Sequence, residues 1–271
     1  MSALWNGAGG NAWVDLAPVL DQAFFGFETL LADAAAASGA ARVLDVGCGT
    51  GATTMAIARR LGQGGACTGV DISAPMIAAA TARPADGFPA PEFIVADAAV
   101  YPFEEGAFDL LTSRFGVMFF DDPVAAFANL RSAIRSGGGL RFIAWRDPEE
   151  NPFMTAGPRA ARHLLPEMPA RRPGVPGQFA FADRERVVEN LTAAGWNGAE
   201  VEPVDVPCTF PESELLRYLT RLGPVSQALG EADEGTRAKV LDVLRVAYEP
   251  YVDGGEVHFT SACWSVGAES P

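Results

Sequence analysis

The sequence predicts an α/β fold in which helices flank a mostly parallel sheet, with an N-terminal helical cap and a lid insertion. Between residues 42 and 146, short runs rich in β-branched and apolar residues alternate with helical patterns, which is typical of parallel strands joined by crossover helices. A glycine-rich turn at Gly47–Gly51 follows the first strand and opens a helix. The chain has 271 residues, 49% of them hydrophobic, which suits one sizeable core.

The N-terminal region, residues 1–40, predicts a helical segment that caps the sheet. The segment begins at Asn11, is interrupted or kinked at Pro18, runs to about Ala37 and ends at Gly39. Its apolar residues recur at helical spacing, and they are Trp13, Leu16, Leu20, Phe24, Phe27 and Leu31.

Five strands and three helices are predicted in the central region, residues 41–146. The strands are Arg42–Val46, Cys67–Asp71, Glu92–Ala96, Phe108–Ser113 and Leu140–Trp145. The helices are Gly51–Leu61, Ala74–Arg83 behind a cap at Ser73, and Pro123–Arg135 behind a cap at Asp122.

The composition changes after Trp145. Residues 147–182 are dense in proline, arginine and aromatic side chains, and they predict an irregular lid with a short helix near Arg159–Leu165. Residues 183–271 are predicted to complete the fold. The predicted helices are Asp183–Ala194, Ser213–Leu222 and Arg237–Tyr248, and the predicted strands are Ala199–Cys208 and 255–267. We expect the last strand to be antiparallel, at or near the sheet edge.

The charge of the chain argues against a nucleic-acid partner. Lys and Arg number 20 against 34 Asp and Glu, a formal charge of −14, whereas phosphate binders carry basic surfaces. No basic, apolar leader and no apolar run long enough to span a membrane is present. We therefore expect a cytoplasmic protein with a small-molecule partner and no membrane partner.

Metal-dependent chemistry is not expected. Cys48, Cys67, Cys208 and Cys263 stand apart from one another, without the paired spacing of a zinc site. The chain has 2 histidines, too few for a multi-histidine metal centre.

The glycine turn fits two kinds of ligand. Gly47, Gly49 and Ala52 satisfy the G-x-G-x-x-A pattern of dinucleotide binding, yet Asp45 lies just before them, where its charge would repel a pyrophosphate. No lysine or arginine occurs in the turn to hold a phosphate. A cationic ligand therefore suits this turn better than a diphosphate does.

Two further carboxylates follow the next two strands. Asp71 ends the second strand, where a carboxylate can accept both hydroxyls of a ribose, as in proteins that bind NAD or other adenosine ligands. Asp97 follows the third strand, in position to bind an adenine amino group. Both residues indicate an adenosine ligand.

Five stretches together resemble the successive motifs of the class I S-adenosylmethionine-dependent methyltransferases. Within this class they resemble most the type 11 group, which is related to ubiquinone and menaquinone biosynthesis. The stretches are VLDVGCGTGATT, TGVDIS, FIVADAA, FDLLTSRFGVMFF and LRSAIRSGGGLRFIAWR. The resemblance implies a Rossmann-like seven-stranded sheet with a reversed final hairpin, and a cofactor-binding core at residues 41–146. It also implies S-adenosyl-L-methionine as cofactor, with contacts from Asp45, Gly47, Cys48, Gly49, Gly51, Asp71, Ile72, Met76, Asp97, Ala98 and Ser113. Trp13 is predicted to cover the cofactor from the N-terminal side.

Methyl transfer from a sulfonium needs chiefly alignment of the reacting groups and exclusion of water. If the acceptor is a hydroxyl group, His163 in the lid is the candidate base. Alternatively, His163 is a solvent-facing helix residue without a catalytic role. Substrate contacts are predicted after the fourth strand and in the lid, at Arg114, Phe115, Met118, Phe153 and Met154.

The sequence therefore predicts a methyltransferase that acts on a small, partly apolar metabolite at O, N or C. Two alternatives stay open at this point. One is an NAD(P)-dependent oxidoreductase, and the other is a cofactor-binding protein without catalytic activity.

Overall fold

Seven long strands and one two-residue strand form a single sheet in the computed structural model of the chain, which describes residues 2–169 and 174–271. The strands are β1 (Arg42–Val46), β2 (Ala66–Asp71), β3 (Glu92–Val95), β4 (Phe108–Arg114), β5 (Ile134–Trp145), β6 (Asn197–Pro211), β7 (Val252–Asp253) and β8 (Glu256–Glu269). Their order is β3-β2-β1-β4-β5-β8-β6, and β7 pairs with β8. β1 to β5 pair in parallel, whereas β8 is antiparallel to β5 and β6. The predicted Rossmann-like, mostly parallel α/β fold is confirmed.

Helices connect the strands and cover both the sheet and its carboxyl-end edge. In the described part of the chain they are α1 (Ser2–Trp5), α2 (Ala8–Asp15), α3 (Ala17–Ala37), α4 (Ala52–Leu61), α5 (Ala74–Thr81), α6 (Pro123–Ala133), α7 (Pro152–Ala161), α8 (Arg184–Ala193), α9 (Leu215–Arg221), α10 (Gly223–Leu229) and α11 (Glu234–Tyr248). The predicted caps of α5 and α6 are confirmed, because Ser73 Oγ accepts the Met76 amide and Asp122 Oδ1 accepts the Ala125 amide.

The predicted central strands agree with the structure apart from their ends. The main difference is β5, which begins at Ile134 rather than at Leu140. Ile134 pairs with Phe108, and an irregularity in the register precedes the pairing of Leu110 with Gly139. The glycines after Ile134 therefore continue the strand through a bulge rather than forming a turn.

The predicted interruption of the N-terminal helical segment is present, at Leu16 rather than at Pro18. The chain forms α2 and α3 with a break at Leu16, and Pro18 lies in the first turn of α3, where its missing amide hydrogen is not needed. Asn11 lies inside α2 and is not a cap, since α2 begins after Gly7.

The predicted lid helix is also misplaced. The structure has α7 at Pro152–Ala161 instead of a helix near Arg159–Leu165. The start of α7 is set by Asn151, which is buried and exchanges two hydrogen bonds with the Ala262 backbone in β8. Residues 170–173 of the predicted lid lie outside the described residues.

The C-terminal part completes the sheet. β8 lies between β5 and the edge strand β6, which confirms the predicted antiparallel strand near the edge. The helix predicted at Ser213–Leu222 is the shorter α9 followed by α10, and α11 begins at Glu234 behind Asp233 instead of at Arg237.

The long helix α3 packs against the sheet through a mostly apolar face. Phe24, Phe27 and Leu31 on this face are buried, and Gly26 lets the helix approach Val206 of β6 closely. None of the helices in residues 2–169 and 174–271 is long and apolar enough to cross a membrane. All four cysteines are buried free thiols.

Candidate active site

A cavity of about 340 Å³ lies beyond the carboxyl ends of β1, β2, β3 and β4. Its walls are the glycine turn, the segments after β2, β3 and β4, and the N-terminal helices, which contribute Trp5 and Trp13. The strand order reverses between β1 and β4, so the cavity lies at the point where open α/β sheets bind ligands. Its volume is that of a small-molecule site.

The glycine turn lies directly against the segment that follows β4. Gly47 has a φ of +66°, and a Cβ there would lie 2.6 Å from the Gly116 Cα atom. Glycine is therefore required at position 47 both for its conformation and for the contact between the two loops. This contact brings the loops after β1 and β4 to the same wall of the cavity.

Asp45 is a buried carboxylate on the cavity wall. It is 1% exposed, its Oδ2 accepts the Thr54 hydroxyl at 2.6 Å, and its Oδ1 accepts the Thr112 hydroxyl at 3.2 Å. Burial raises the pKa of Asp45 to about 6, because the charged form is poorly solvated. A positive group of a ligand in this cavity would favour the ionised carboxylate.

Asp71 connects the glycine turn to the start of α5. Its Oδ2 accepts the Gly49 amide at 2.8 Å and its Oδ1 accepts the Ser73 amide at 2.9 Å. Burial raises the pKa of Asp71 as well. Each carboxylate oxygen has two lone pairs, so both can accept a further bond from a ligand hydroxyl.

Asp97 lies at the exposed rim of the cavity, after β3. Its Oδ1 accepts the Ala99 amide at 3.0 Å, which closes a tight turn. The three carboxylates predicted from the sequence thus line one cavity, with Asp45 and Asp71 buried and Asp97 exposed.

The N-terminal segment is held over the cavity by polar contacts with the loop after β2. The Asn6 side chain donates to the Ile72 carbonyl and accepts from the Ala74 amide, both at 2.9 Å. The Ser73 hydroxyl donates to the Trp5 carbonyl at 2.6 Å. Asn6 could not be predicted from the sequence, because no local pattern marks a contact with residues so distant in the chain.

Aromatic rings line the same side of the cavity. Trp5 packs edge-on against Phe119 at 5.2 Å and against Trp13 at 6.3 Å between ring centroids. These tryptophans belong to the helices α1 and α2. Gly10 in α2 makes the packing possible, because a Cβ there would collide with the Trp5 carbonyl and the Ser73 hydroxyl.

Arg114 and Glu28 form an ion pair beside the cavity that the sequence did not reveal. Arg114 Nη1 donates to Glu28 Oε1 at 2.9 Å, and the two side chains are 10% and 9% exposed. Burial raises the pKa of Glu28 to about 7, although the Arg114 charge acts in the opposite direction. The available signal was that Glu28 occurs within the apolar stripe that contains Phe24, Phe27 and Leu31.

Phe115 has a strained backbone. Its φ is +67°, and among the described residues it is the non-glycine residue with a positive φ. Its ring stacks on Trp145 at 4.8 Å and contacts Phe24 and Phe27 edge-on. This packing offsets the cost of the backbone conformation and directs the chain into the cavity wall after β4.

Most of the predicted site residues come together at this cavity. Those in its lining are Trp13, Asp45, Gly47, Cys48, Gly49, Asp71, Ile72, Met76, Asp97, Ala98, Arg114 and Phe115.

Other predicted site residues do not reach the cavity lining. Gly51 packs near Ala80 and Phe93, and Ser113 and Met118 are buried beneath the wall. Phe153 and Met154 belong to a separate aromatic cluster: the Phe153 ring stacks on Phe259, and Met154 Sδ accepts the Tyr218 hydroxyl. Their position follows from the shifted start of α7.

His163 is exposed, in the turn after α7, and does not line the cavity. The geometry therefore gives no support to a role of His163 as a base.

The chain is similar in sequence to known methyltransferases. Residues 43–138 match the family described as a methyltransferase domain. Malonyl-[acyl-carrier protein] O-methyltransferase of Geobacter sulfurreducens is 30% identical over 220 residues, which cover 80% of this chain and 78% of that protein.

Two further relatives align over shorter stretches. Demethylmenaquinone methyltransferase of Mycolicibacterium vanbaalenii is 28% identical, covering 58% of this chain and 68% of that protein. Nocamycin O-methyltransferase of Saccharothrix syringae is 29% identical over 64% of this chain, and the match spans just under two thirds of that protein, 65%.

Solved structures share the fold. The YcgJ protein of Bacillus subtilis aligns with a TM-score of 0.57 at 17% identity, over 90% of this chain and 97% of that one. The [4+2]-cyclase SpnF aligns with a TM-score of 0.53 at 21% identity, over 90% of this chain and 80% of that one. At such identities the likeness concerns the fold alone.

Proposed function

The chain belongs to the class I S-adenosylmethionine-dependent methyltransferases, in the group related to ubiquinone and menaquinone biosynthesis, and we propose that its methyl acceptor is a small, partly apolar metabolite. The single observation that supports this most is the cavity itself, in which Asp45, Asp71 and Asp97, among other aspartates, and aromatic rings lie beside a glycine turn without lysine or arginine. Such a site suits a cationic adenosyl ligand and an apolar neighbour better than a diphosphate.

The residues present fit S-adenosyl-L-methionine. We assign Asp71 to the ribose hydroxyls, since both of its oxygens are held in place and can accept further bonds. Asp97 is assigned to the adenine end, at the exposed rim. Asp45 is assigned to the charged methionine end, because its carboxylate is buried on the cavity wall and no cationic side chain among residues 2–169 and 174–271 bonds to it directly. When bound, the cofactor supplies a methyl group that its sulfonium has already activated.

The acceptor is proposed to lie against the aromatic side of the cavity. Trp5, Trp13, Phe119 and Phe120 line it there, and the Asn6 contacts keep the N-terminal helices over it. These residues would exclude water and orient the acceptor, which is the main requirement for this reaction. The relatives are named for three different acceptors, so we propose O, N or C methylation without naming the atom.

A histidine base is not part of this proposal. In the described part of the chain the cavity lining contains no histidine, and His163 is exposed outside it. The chain would therefore act by aligning and enclosing the reactants rather than by proton transfer through an imidazole.

The chain acts as one unit in this proposal. The cap before residue 41 and the cofactor-binding core at 41–146 supply the described residues that line the cavity. The lid at 147–182 and the C-terminal part at 183–271 complete the fold around them, and β8 joins the C-terminal part to the core through β5. The absence of a nucleic-acid partner and the cytoplasmic location stay predictions from composition.

A turnover assay with small acceptors tests the proposed function. The purified protein is incubated with S-adenosylmethionine and a panel of phenols, enols, carboxylic acids and amines, and S-adenosylhomocysteine formation is measured by mass spectrometry. We expect acceptor-dependent formation with at least one apolar member of the panel. A folded protein that binds S-adenosylhomocysteine but never forms it with any member would contradict the proposed acceptor class.

A further inference from the structure

Arg114 presents unpaired hydrogen-bond donors to the cavity. A guanidinium has five N–H donors, and within the described residues the Arg114 side chain makes one hydrogen bond, from Nη1 to Glu28 Oε1. Its side chain is 10% exposed and lines the cavity. A largely buried donor without an acceptor is destabilising, so a ligand acceptor that pairs with it would be bound favourably.

The guanidinium is held in a fixed position. Arg114 is the last residue of β4, where it pairs with Ile143, and its guanidinium carbon lies 5.7 Å from the centre of the Phe24 ring. Glu28 on α3 also holds the guanidinium, through its hydrogen bond to Arg114 Nη1. A rigid, forked donor of this kind binds carboxylates and similar oxyanions with little loss of side-chain entropy.

The charge of Arg114 is incompletely neutralised. Burial raises the pKa of Glu28 to about 7, so the charged form of this carboxyl is less favoured than that of an exposed glutamate. Asp45 also interacts with Arg114, and we assign Asp45 to the positive end of the cofactor. An additional anion beside Arg114 is therefore electrostatically acceptable.

We propose that Arg114 is an anion subsite for the methyl acceptor, and that it binds a carboxylate or a comparably acidic oxygen on an otherwise apolar molecule. Phe119 and Trp5 are on the same cavity wall and would contact the apolar part. The inference rests on the proposed function and specifies its substrate class.

Paired ligands that differ in one charge test the subsite. Benzoate, 2-naphthoate and octanoate, each with its methyl ester, are titrated calorimetrically into the protein saturated with S-adenosylhomocysteine. We expect at least one carboxylate to bind about tenfold or more tightly than its ester, as a charged hydrogen bond provides. Arg114→Gln should remove this preference and Arg114→Lys should weaken it. Arg60→Gln, at an exposed ion pair with Asp33, should keep it.

Three results would overturn the proposal. They are the lack of any carboxylate preference in the unmodified protein, a preference that survives in folded Arg114→Gln, and a loss of S-adenosylhomocysteine affinity in Arg114→Gln as large as the loss for the carboxylate. The last result would assign Arg114 to the cofactor's own carboxylate. Lack of S-adenosylhomocysteine binding by the unmodified protein would instead count against the cofactor assignment, so the two failures are distinguishable.

Discussion

The Gly49 amide donates a hydrogen bond to Asp71 Oδ2 at 2.8 Å, which joins the glycine turn to the end of β2. The same carboxylate holds the Ser73 amide at the start of α5. One buried side chain therefore shapes both loops of the proposed cofactor site and also offers acceptors to the ribose.

Replacing Asp71 should weaken the binding of the cofactor product. We expect Asp71→Ala to raise the Kd for S-adenosylhomocysteine by about tenfold or more, because a charged acceptor is lost. Calorimetry on the folded variant gives the value, and Asp86→Ala, at an exposed position, is the control. Unchanged affinity in folded Asp71→Ala would refute the assignment.

Gly47 and Gly39 separate backbone strain from loop contact. Both have a positive φ, but a Cβ at Gly39 meets nothing within 4 Å, whereas one at Gly47 reaches Gly116. Gly39→Ala should lower the free energy of unfolding by about 1–2 kcal/mol, the cost of a left-handed alanine. Gly47→Ala should lower it further and also weaken S-adenosylhomocysteine binding. Equal effects of the two substitutions on denaturation and on binding would show that the contact with Gly116 is unimportant.

The N-terminal helices should open when Asn6 is shortened. Asn6→Ala removes both hydrogen bonds to the loop after β2, so we expect faster proteolysis near the N-terminus and weaker binding of S-adenosylhomocysteine. Asn11→Ala in α2 is the matched control, because Asn11 is exposed. If both variants resist protease as the unmodified protein does, Asn6 does not hold the cap.

Glu28 should make the protein less stable as the pH rises. Its pKa increases from 4.5 in the unfolded chain to about 7 in the fold, so between these values the folded state binds more protons than the unfolded state. The stabilisation from protonated Glu28 is complete below pH 4.5 and is lost as the pH rises through about 7. We expect the free energy of unfolding, measured by urea denaturation from pH 4.5 to 7.5, to fall less steeply with pH for Glu28→Gln than for the unmodified protein. Glu104→Gln, at an exposed site, should leave the decline as it is; identical slopes for all three proteins would contradict the prediction.

His163 should be dispensable. Because its side chain is exposed outside the cavity, His163→Ala should change neither the turnover with an active acceptor nor the affinity for S-adenosylhomocysteine. A loss of turnover with unchanged cofactor affinity would restore the role predicted from sequence.

Local patterns predicted the parts of the fold that local forces determine. The strands and the capped helices α5 and α6 follow from hydrophobic runs and side-chain caps, and the glycine turn with Asp71 follows from its place between strand and helix. These features depend on residues that are close in the chain.

Contacts between distant residues explain what sequence reasoning missed. α7 begins at Pro152 because Asn151 bonds to Ala262, which is 111 positions away. The Arg114–Glu28 pair joins residues 86 positions apart, and Asn6 reaches Ile72 across 66. No periodicity or spacing signals such pairs, so Phe153, Met154 and His163 were predicted at the site while Glu28 and Asn6 were missed.

The most direct test of the cofactor assignment is a calorimetric titration of the unmodified protein with S-adenosylhomocysteine and, separately, with NADH. We expect stoichiometric binding of S-adenosylhomocysteine and no measurable binding of NADH. Tight binding of NADH without binding of S-adenosylhomocysteine would contradict the assignment.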